Sequence, residues 1–351
     1  MENIIEEARL DKSTFTFLES GNMEKLNQTK NRSAVLTSAE LAAVVSIEAE
    51  LLKGARQYFD AHGFTEVIVP HITRITGSCE NIDTLFGLDY FGEEAYLVQT
   101  GQLYLEALIP SLGNVFCIGP SFRAEPAADA RHLAEFSLVE FEFPGGFDEL
   151  LVHIENTVHS MIQRAVHYRK HELQFLGVDV NSLRKISLPF RRVTYAEAIG
   201  LLNENGVSVE WGDDLKSSHE ALIVQDGIPT FITHYPEEIK FFNMKRNENN
   251  PKVVNSSDLI LPNSGEAVGS AEREWNHEIL REKLLKSEMY KKLKARGKDI
   301  RDFEWYLDLI RENPVQHSGC GIGLNRITQF VLGTKDIRAT TAYPLNSESL
   351  L

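Results

Sequence analysis

The chain has 351 residues, of which 42% are hydrophobic and 25% are charged, and its formal net charge is −15. This composition is typical of a globular protein, and no apolar run approaches the length of a membrane span, so we predict no membrane partner. The negative charge gives no general electrostatic attraction to a nucleic acid backbone. A cytoplasmic protein is predicted by the lack of a secretion-signal pattern and by three cysteines without metal-ligand spacing: Cys79, Cys117 and Cys320.

The first predicted helix follows a polar N-terminal stretch. Residues 1–37 are polar and weakly periodic, and we predict that they form an extension before a domain spanning 38–351. Ser38 is the predicted N-cap, and apolar residues follow it at helical spacing: Val44, Ile47, Leu51 and Ala55. Gly63 is expected to end this helix, and 64–69 is then predicted to be a strand that stops at Pro70.

The segment 121–143 has the pattern of an antiparallel hairpin that binds a nucleotide. Arg123 and Glu125 are two apart on an extended run, a polar loop follows, and the return run alternates with period two. Residues two apart on a strand share a face, so one surface would carry arginines, a histidine, acids and the ring of Phe136. Guanidinium groups bind phosphate oxygens, and an aromatic face with a carboxylate can hold adenine. The alternative is an ordinary surface hairpin with ion pairs.

The remaining elements are predicted with less local detail. Residues 147–176 have the pattern of a long amphipathic helix, 229–233 and 240–246 of strands, and 272–312 of mostly helical structure. The glycine-rich run 319–326 is predicted to be a strand that leads into a helix. Lysines and arginines are concentrated between 283 and 301; we interpret them as a solvated helix face, with contact to a nucleic acid as the alternative.

In order and spacing, these elements resemble the class II aminoacyl-tRNA synthetases of the aspartyl/asparaginyl branch. The helix, strand and Pro70 resemble motif 1, the hairpin resembles motif 2, and 319–326 resembles motif 3. Further segments are similar to the asparaginyl-tRNA synthetase catalytic domain: 99–106, 235–244, 265–273, and 305–308 leading into 317–319. The resemblance implies an α+β domain with an antiparallel sheet flanked by helices. It also implies a homodimer formed through motif 1.

The resemblance also assigns roles to individual residues, with ATP and Mg²⁺ as cofactors. Arg123 would bridge the α-phosphate and the substrate carboxylate, Arg326 would engage the outer phosphates, and Glu266 would be both a catalytic residue and a Mg²⁺ ligand. The ATP site would comprise Arg123, Glu125, Arg131, His132, Leu133, Phe136, Gly323 and Arg326. The amino-acid site would comprise Glu80, Gln102, Glu140, Gly269, Arg273 and Lys240. Two alternatives remain: Glu142 with Arg131 could be a salt-bridged pair of the hairpin, and Glu266 with Arg273 could be a pair at the start of a helix.

Three positions favour asparagine over aspartate as the substrate. The aspartyl branch has a lysine where this chain has Leu105, an aspartate at Glu140 and a serine at Gly269. A pocket without that lysine holds an amide more readily than a carboxylate, because a buried unpaired charge is unfavourable. Arg273 is retained and could still pair with a carboxylate, so aspartate remains open.

The final acceptor of the activated amino acid is less clear from the sequence. The predicted extension is too short for the OB-fold barrel that reads the anticodon, and the loop 126–130 is poor in hydrogen-bond donors. Asn325 and Leu345 replace a Glu and an Arg of the family. We therefore expect transfer to a non-tRNA acceptor such as ammonia, another amine or a carrier, and the tRNA partner is uncertain. The alternatives are tRNA charging and a non-catalytic paralogue that binds amino acid or ATP.

Overall fold

The computed structural model describes residues 23–28, 32–74 and 82–350. The strands in these segments are β1 (Thr65–Glu66), β2 (Ile72–Thr73), β3 (Gly87–Tyr90), β4 (Glu93–Leu97), β5 (Val115–Phe122), β6 (Glu135–Phe143), β7 (Arg191–Thr194), β8 (Thr230–Thr233), β9 (Ser256–Leu261), β10 (Gly265–Glu272) and β11 (Ser318–Gly323).

Helices cover the sheet and connect its strands. The α-helices are α1 (Met23–Leu26), α2 (Ser33–Leu36), α3 (Ala39–Ala61), α4 (Gln102–Glu106), α5 (Ile109–Leu112), α6 (Phe147–Tyr168), α7 (Lys170–Phe175), α8 (Val180–Arg184), α9 (Tyr195–Glu204), α10 (Ser217–Ile223), α11 (His277–Lys286), α12 (Glu288–Ala295), α13 (Glu304–Glu312) and α14 (Leu324–Leu332). Short 3₁₀ helices span Ile82–Thr84, Glu237–Ile239, Ile300–Phe303 and Ile337–Thr340. Among the described residues, no helix is both long and apolar enough to span a membrane.

The main sheet confirms the predicted α+β class. Its eight strands run in the order β1-β5-β6-β11-β10-β9-β8-β7. The six strands from β5 to β8 in this order pair antiparallel, whereas the two edge strands β1 and β7 pair parallel with their neighbours. The predicted antiparallel sheet is therefore right for its centre, and both edges make it a mixed sheet. A separate antiparallel sheet has the order β2-β4-β3.

The predicted hairpin is formed by β5 and β6. Ser121 pairs with Phe136 and Cys117 with Glu140 across the two strands. Successive residues of a strand point to opposite faces, so the residues from Val139 to Phe143 divide between a polar cavity and the core. Phe141 and Phe143 belong to the main hydrophobic cluster, together with α3 and α6.

Helix α3 begins and packs as its sequence predicts. The Ser38 side chain accepts a hydrogen bond from the backbone N–H of Leu41, as an N-cap does. The four apolar residues at helical spacing, Val44, Ile47, Leu51 and Ala55, are fully buried. This apolar stripe packs against α6, and the two helices approach closely at Gly54.

Several predicted boundaries are wrong. The helix expected over 147–176 is broken at Arg169 into α6 and α7, and the strand expected over 64–69 has only the two residues of β1. Residues 240–246 do not form a strand: the N–H of Lys245 donates to Glu272, whereas Met244 and Arg246 make isolated bridges to different partners. The backbone of this segment contacts several different elements, so no continuous ladder forms.

The described residues before Ser38, 23–28 and 32–37, include an arginine that anchors them to the rest of the chain. Arg32 is 0% exposed, and its guanidinium donates to the carbonyl oxygens of Leu26 and, at 2.8 Å, of Ala342. Arg32 and the preceding helix α1 therefore lie against the C-terminal segment. The domain boundary after residue 37 stays a prediction.

Replacing Gly54 by alanine should destabilise the fold by about 2 kcal/mol, because overpacking forces neighbouring atoms to move. A Cβ there would lie 2.6 Å from Cα of Met161 and 2.7 Å from the carbonyl oxygen of Ser160. The control is Gly200→Ala on α9, where a Cβ meets nothing within 4 Å and helix propensity favours alanine by up to about 1 kcal/mol. Urea unfolding of both variants measures the difference. Equal stability of the two variants would contradict this packing.

Candidate functional site

A polar cavity of about 360 Å³ lies on the face of β6, β11 and β10 that is opposite the main core. The structure brings together at this cavity every site residue predicted from the sequence except Glu80, which lies outside the described residues. They are Gln102, Arg123, Glu125, Arg131, His132, Leu133, Phe136, Glu140, Lys240, Glu266, Gly269, Arg273, Gly323 and Arg326. Their individual roles stay predictions.

Arg123 is held at the end of the cavity where the sequence predicts ATP to bind. It directly follows β5, and its backbone N–H donates to the carbonyl of Ala134 at 2.8 Å. Its Nε is buried without a hydrogen-bond partner, and its guanidinium lies 5.3 Å from the centre of the Phe136 ring. A buried donor without an acceptor is unfavourable, so this side chain is prepared for an anionic or carbonyl acceptor in the cavity.

Arg326 is fixed by backbone acceptors rather than by acids. Its guanidinium donates to the carbonyl of Ser264 at 2.8 Å and to the carbonyl of Arg131 at 2.9 Å. Burial, together with the charge of Arg131, lowers the pKa of Arg326. Gly323 lies beside Arg326, and a Cβ on this glycine would meet Cγ of Arg326 at 3.4 Å, an ordinary contact distance. Arg131 lies 3.8 Å from Glu220, so the alternative pairing of Arg131 with Glu142 is wrong.

The loop that precedes Arg131 is organised by its own acid. The Asp129 carboxylate accepts hydrogen bonds from the backbone N–H groups of Arg131 and His132, and it lies 2.9 Å from Nδ1 of His132. Burial opposes the charge of Asp129, but these contacts outweigh it and lower the pKa of Asp129. Leu345 contacts the hairpin through its backbone, since its carbonyl accepts from the N–H of Ala134 at 2.8 Å. The acid in this loop is therefore engaged internally.

Three acidic side chains share one corner of the cavity: Glu266, Asp258 and Glu220. The negative charge of Asp258, followed by burial, raises the pKa of Glu266 to about 7. Lys240 donates to Asp258 at 2.7 Å and lies over the Tyr235 ring. Oε2 of Glu220 is buried without a hydrogen-bond partner. Crowded carboxylates of this kind are the oxygen donors that hard divalent cations such as Mg²⁺ prefer, so the donor set fits the predicted metal.

Asp258 and Glu220 were missed in the sequence analysis. Asp258 is the only acid in the otherwise apolar or hydroxyl-bearing strand β9, and such an isolated buried acid was a usable signal. Glu220 lies on α10, far from the motifs in sequence, and nothing local marked it.

The opposite end of the cavity is built around Arg273. This residue is 2% exposed, and its Nη2 lies 2.6 Å from Oε1 of Glu142. The alternative pairing of Arg273 with Glu266 at a helix start is wrong. Glu266 lies on strand β10 and Arg273 directly follows this strand, and Arg273 pairs with Glu142 instead. Glu140 accepts hydrogen bonds from the N–H of Gly101 and the hydroxyl of Thr100, and burial raises its pKa. Gly269 lies on the neighbouring strand β10.

The structure adds detail at two positions that the sequence singled out. Leu105 is 0% exposed in an apolar cluster with Ile109 and Val115 and does not line the cavity. Leu105 would therefore influence the predicted substrate site only because it is not a lysine, and not through direct contact.

Gly319 on β11 has a structural role in addition to the predicted one of leaving space for a nucleotide. A Cβ on Gly319 would lie within 2.4 Å of the Glu142 carboxyl atoms, so this glycine makes room for Glu142.

Residues 24–347 match the family described as "tRNA synthetases class II (D, K and N)". The chain belongs to this family. It is 40% identical over 305 residues to "Asparagine--tRNA ligase" of Desulforamulus reducens, covering 86% of this chain and 68% of that protein. It is 38% identical over 313 residues to the same ligase of Pyrococcus abyssi, covering 88% of this chain and 69% of that protein.

Solved structures agree with the sequence relatives. Asparaginyl-tRNA synthetase from Pyrococcus horikoshii complexed with asparaginyl-adenylate superposes with a TM-score of 0.85 at 36% identity, covering 93% of this chain and 72% of that one. The Entamoeba histolytica asparaginyl-tRNA synthetase with asparaginyl-adenylate gives a TM-score of 0.79 at 32% identity, covering 92% and 71%. The class II synthetase fold and the nearness to the asparaginyl branch, both predicted from the motifs, are confirmed.

A second buried network adjoins Arg273 in this synthetase-family chain. Glu106, Glu142 and His317 bring ligand atoms within 4.8 Å of one another, which is a spacing that suits a metal ion. Arg273 already supplies a cation there, at 2.6 Å from Glu142 and 3.9 Å from Glu106. We therefore interpret the cluster as an ion network. Glu106 and His317 lie in segments that suggested the family, but their contact joins residues 211 apart in sequence.

The basic segment 283–301 is largely neutralised by acids. Lys292 and Arg296 both pair with Asp83, and Lys298 pairs with Glu94. Lys286 and Lys291 pair within their own helices. These contacts favour the solvated helix face over a nucleic acid interface.

Replacing Glu266 by glutamine should stabilise the ligand-free protein at about pH 8 and have little effect near pH 5. A carboxyl group whose pKa is raised on folding from 4.5 to about 7 holds its proton more tightly when folded. Its contribution to the free energy of unfolding therefore falls as the pH rises through this window. Neighbouring atoms desolvate the Glu266 carboxyl group, but the residue still has solvent-accessible surface in the open cavity, so solvent screening reduces the expected gain to about 1 kcal/mol.

Urea unfolding without nucleotide or metal at both pH values measures this effect. Glu204→Gln, at the exposed end of α9, is the control and should show no pH-dependent difference from the unsubstituted protein. A Glu266→Gln variant that is equally destabilised at both pH values would contradict the electrostatic crowding of this corner.

Proposed function

We propose that this chain activates asparagine with ATP, forming asparaginyl-adenylate and pyrophosphate. The observation that carries the proposal is the convergence, in one cavity, of a cationic end and an amino-acid end. Arg123, Arg131 and Arg326 line the first, and Arg273 with Glu140 lines the second. Family membership and the two related structures with asparaginyl-adenylate support it further.

In the proposed reaction, the carboxylate of asparagine attacks the α-phosphorus of ATP and pyrophosphate leaves. No protein nucleophile is required, so catalysis comes from positioning and charge stabilisation. Arg123, with its buried Nε free of other partners, would neutralise the charge that develops on the α-phosphoryl oxygens. Arg131 and Arg326 would hold the outer phosphates, and Phe136 with Glu125 would hold adenine.

Glu266 and Asp258 are the residues that would hold Mg²⁺. The raised pKa of Glu266 reflects repulsion from Asp258, which a divalent cation at this corner would relieve. When bound, the ion would offset phosphate charge near the reacting centre. Lys240 keeps Asp258 oriented through their contact at 2.7 Å.

Asparagine suits the amino-acid end better than aspartate does. The positive charge of Arg273 is already paired with Glu142, and Glu140 adds a second buried carboxyl group. A side-chain amide offers both a donor for a carboxylate and an acceptor for a guanidinium, whereas a second carboxylate would meet like charges. Aspartate remains the alternative substrate.

We propose tRNA as the acceptor of the activated asparagine. The relatives compared above are asparagine–tRNA ligases, and they favour tRNA charging over the ammonia, amine or carrier acceptor that we expected from the sequence. The loop 126–130 is compatible with this, because Asp129 is bound to Arg131 and His132 and its charge is compensated. A binding function without catalysis is the remaining alternative.

A homodimer is proposed from the exposed apolar residues around motif 1. Ile68 is 96% exposed and Phe91 is 92% exposed, and Ile72 and Tyr90 are partly exposed nearby. The adjoining strand β1 lies at the edge of the main sheet. An edge strand flanked by such a surface is a common site of association between chains.

Ile68→Glu should weaken self-association at least about 100-fold, because it places a charge in an apolar contact surface. Sedimentation velocity at micromolar concentration should give two chains for the unsubstituted protein and one for this variant. Leu350→Glu, at another highly exposed apolar residue, is the control and should leave the mass unchanged. A monomeric unsubstituted protein would overturn the proposal.

Asparagine should drive ATP–pyrophosphate exchange, and Arg123→Ala should reduce the rate at least about 1000-fold, as expected for loss of a group that stabilises transition-state charge. Arg311→Ala is a matched control on the surface, since Arg311 is 55% exposed on α13, and it should retain full activity. Exchange with none of asparagine, aspartate or close analogues would favour the non-catalytic alternative.

The acceptor is decided by a second assay on the same preparation. With ATP and asparagine, added tRNA should yield acid-precipitable asparaginyl-tRNA. Formation of free asparagine from aspartate and ammonia would instead support ammonia as the acceptor and contradict tRNA as the acceptor.

A further inference from the structure

Glu106 lies at the C-terminal end of α4 and has an unusually large number of polar partners for a buried residue. It is 2% exposed. Its carboxylate accepts hydrogen bonds from Nε2 of Gln102 at 2.6 Å and from the hydroxyl of Tyr306 at 2.7 Å. Nε2 of His317 lies 3.0 Å away. A buried carboxylate with this many donors is held in its charged form.

The contacts of His317 require a proton on both ring nitrogens. Nδ1 lies 2.7 Å from the carbonyl oxygen of Val315, and Nε2 lies 3.0 Å from the Glu106 carboxylate. Both partners are acceptors, so both nitrogens must donate and the ring is an imidazolium. Burial alone would lower the pKa of His317, but the hydrogen bond and charge of Glu106, with the charge of Glu142, outweigh it and raise the pKa.

The same carboxylate reaches the substrate-binding arginine. Arg273 Nε lies 3.9 Å from Oε1 of Glu106, and Arg273 Nη2 lies 2.6 Å from Glu142. Two cations, Arg273 and His317, therefore face two carboxylates. Burial raises the pKa of Glu142 to about 7, even though Arg273 opposes this shift. The charges that act on His317 come from Glu106 on α4 and Glu142 on β6, and the Tyr306 hydroxyl of α13 donates to Glu106.

We propose that Glu106 is a positioning residue for substrate selection. Its negative charge balances the positive charges of Arg273 and His317, so that the pocket accepts a side-chain amide and rejects a carboxylate. The inference rests on the proposed activation of asparagine and deepens it. Without the Glu106 charge, Arg273 and His317 would present excess positive charge beside Glu142. A substrate carboxylate would then be the favoured partner.

Glu106→Gln removes one charge with little change in volume. In ATP–pyrophosphate exchange, the ratio of kcat/KM for asparagine to kcat/KM for aspartate should fall at least about tenfold. This is the factor expected when a nearby charge changes the electrostatic free energy by the equivalent of about one pKa unit. Tyr306→Phe keeps the charge and removes one hydrogen bond, so its ratio should change less than about threefold. Glu155→Gln alters a buried carboxylate on α6, remote from the cavity, and should leave the ratio unchanged.

A second variant guards against a general packing effect. His317→Gln removes the imidazolium but not the Glu106 charge, so the ratio should stay the same or rise. A tenfold fall in His317→Gln, equal to that in Glu106→Gln, would show that the network acts by packing alone and would overturn the proposal. An unchanged ratio in folded Glu106→Gln would overturn it as well. If Glu106→Gln does not fold, the sign of the His317→Gln effect decides.

NMR titration of the histidine side chains supplies a readout that does not depend on activity. The His317 resonance, assigned with His317→Gln, should be that of an imidazolium at pH 7.5, as its contacts with Val315 and Glu106 require. A neutral His317 in the unsubstituted protein would contradict the inference. Absence of asparagine-dependent exchange would instead refute the proposed function. In that case, calorimetric binding of asparagine and aspartate to the unsubstituted protein and to Glu106→Gln still tests the selectivity, and equal preference in both would refute it.

Discussion

The floor of the cavity depends on the close approach of the Glu142 carboxylate to the backbone of Gly319. The carboxylate occupies the space that a side chain at position 319 would fill. Glu142 lies on strand β6 inside the eight-stranded sheet and is 1% exposed. An isolated charge would not be stable there, so the burial depends on Arg273 at 2.6 Å. The adjacent residues Phe141 and Phe143 point to the other face and enter the hydrophobic core. One strand therefore fixes both the core and the site, because its residues alternate between the two faces.

The two ends of the cavity are built on opposite electrostatic principles. At the predicted nucleotide end, Nε of Arg123 is buried without a hydrogen-bond partner and Arg326 is held by backbone carbonyls, which leaves their charge available to phosphates. At the predicted amino-acid end, the positive charge of Arg273 is paired with Glu142 and lies near a second carboxylate, that of Glu106. The net charge of this end of the cavity is therefore close to zero. This division matches a reaction that joins a strongly anionic substrate to one with an uncharged side chain.

Local periodicity made the helix α3, the hairpin and the glycine-rich strand predictable, because each is defined by residues within one short segment. The same reasoning failed for 240–246, whose hydrogen bonds go to several different elements. The parallel edges could not be predicted from a two-residue strand such as β1. Most residues of the cavity could be predicted because family motifs carry them. Contacts over long sequence separations, above all Glu106 with His317 and Lys292 with Asp83, depend on the assembled fold and leave no local pattern.

We propose that this cavity binds an adenylate of asparagine. The most direct test is calorimetric titration with two non-hydrolysable aminoacyl sulfamoyl-adenosines, one carrying asparagine and one aspartate. Reaction-intermediate analogues bind far more tightly than substrates, and the asparagine compound should bind at least about 100-fold more tightly than the aspartate compound. Equal affinities, or a preference for the aspartate compound, would contradict the account.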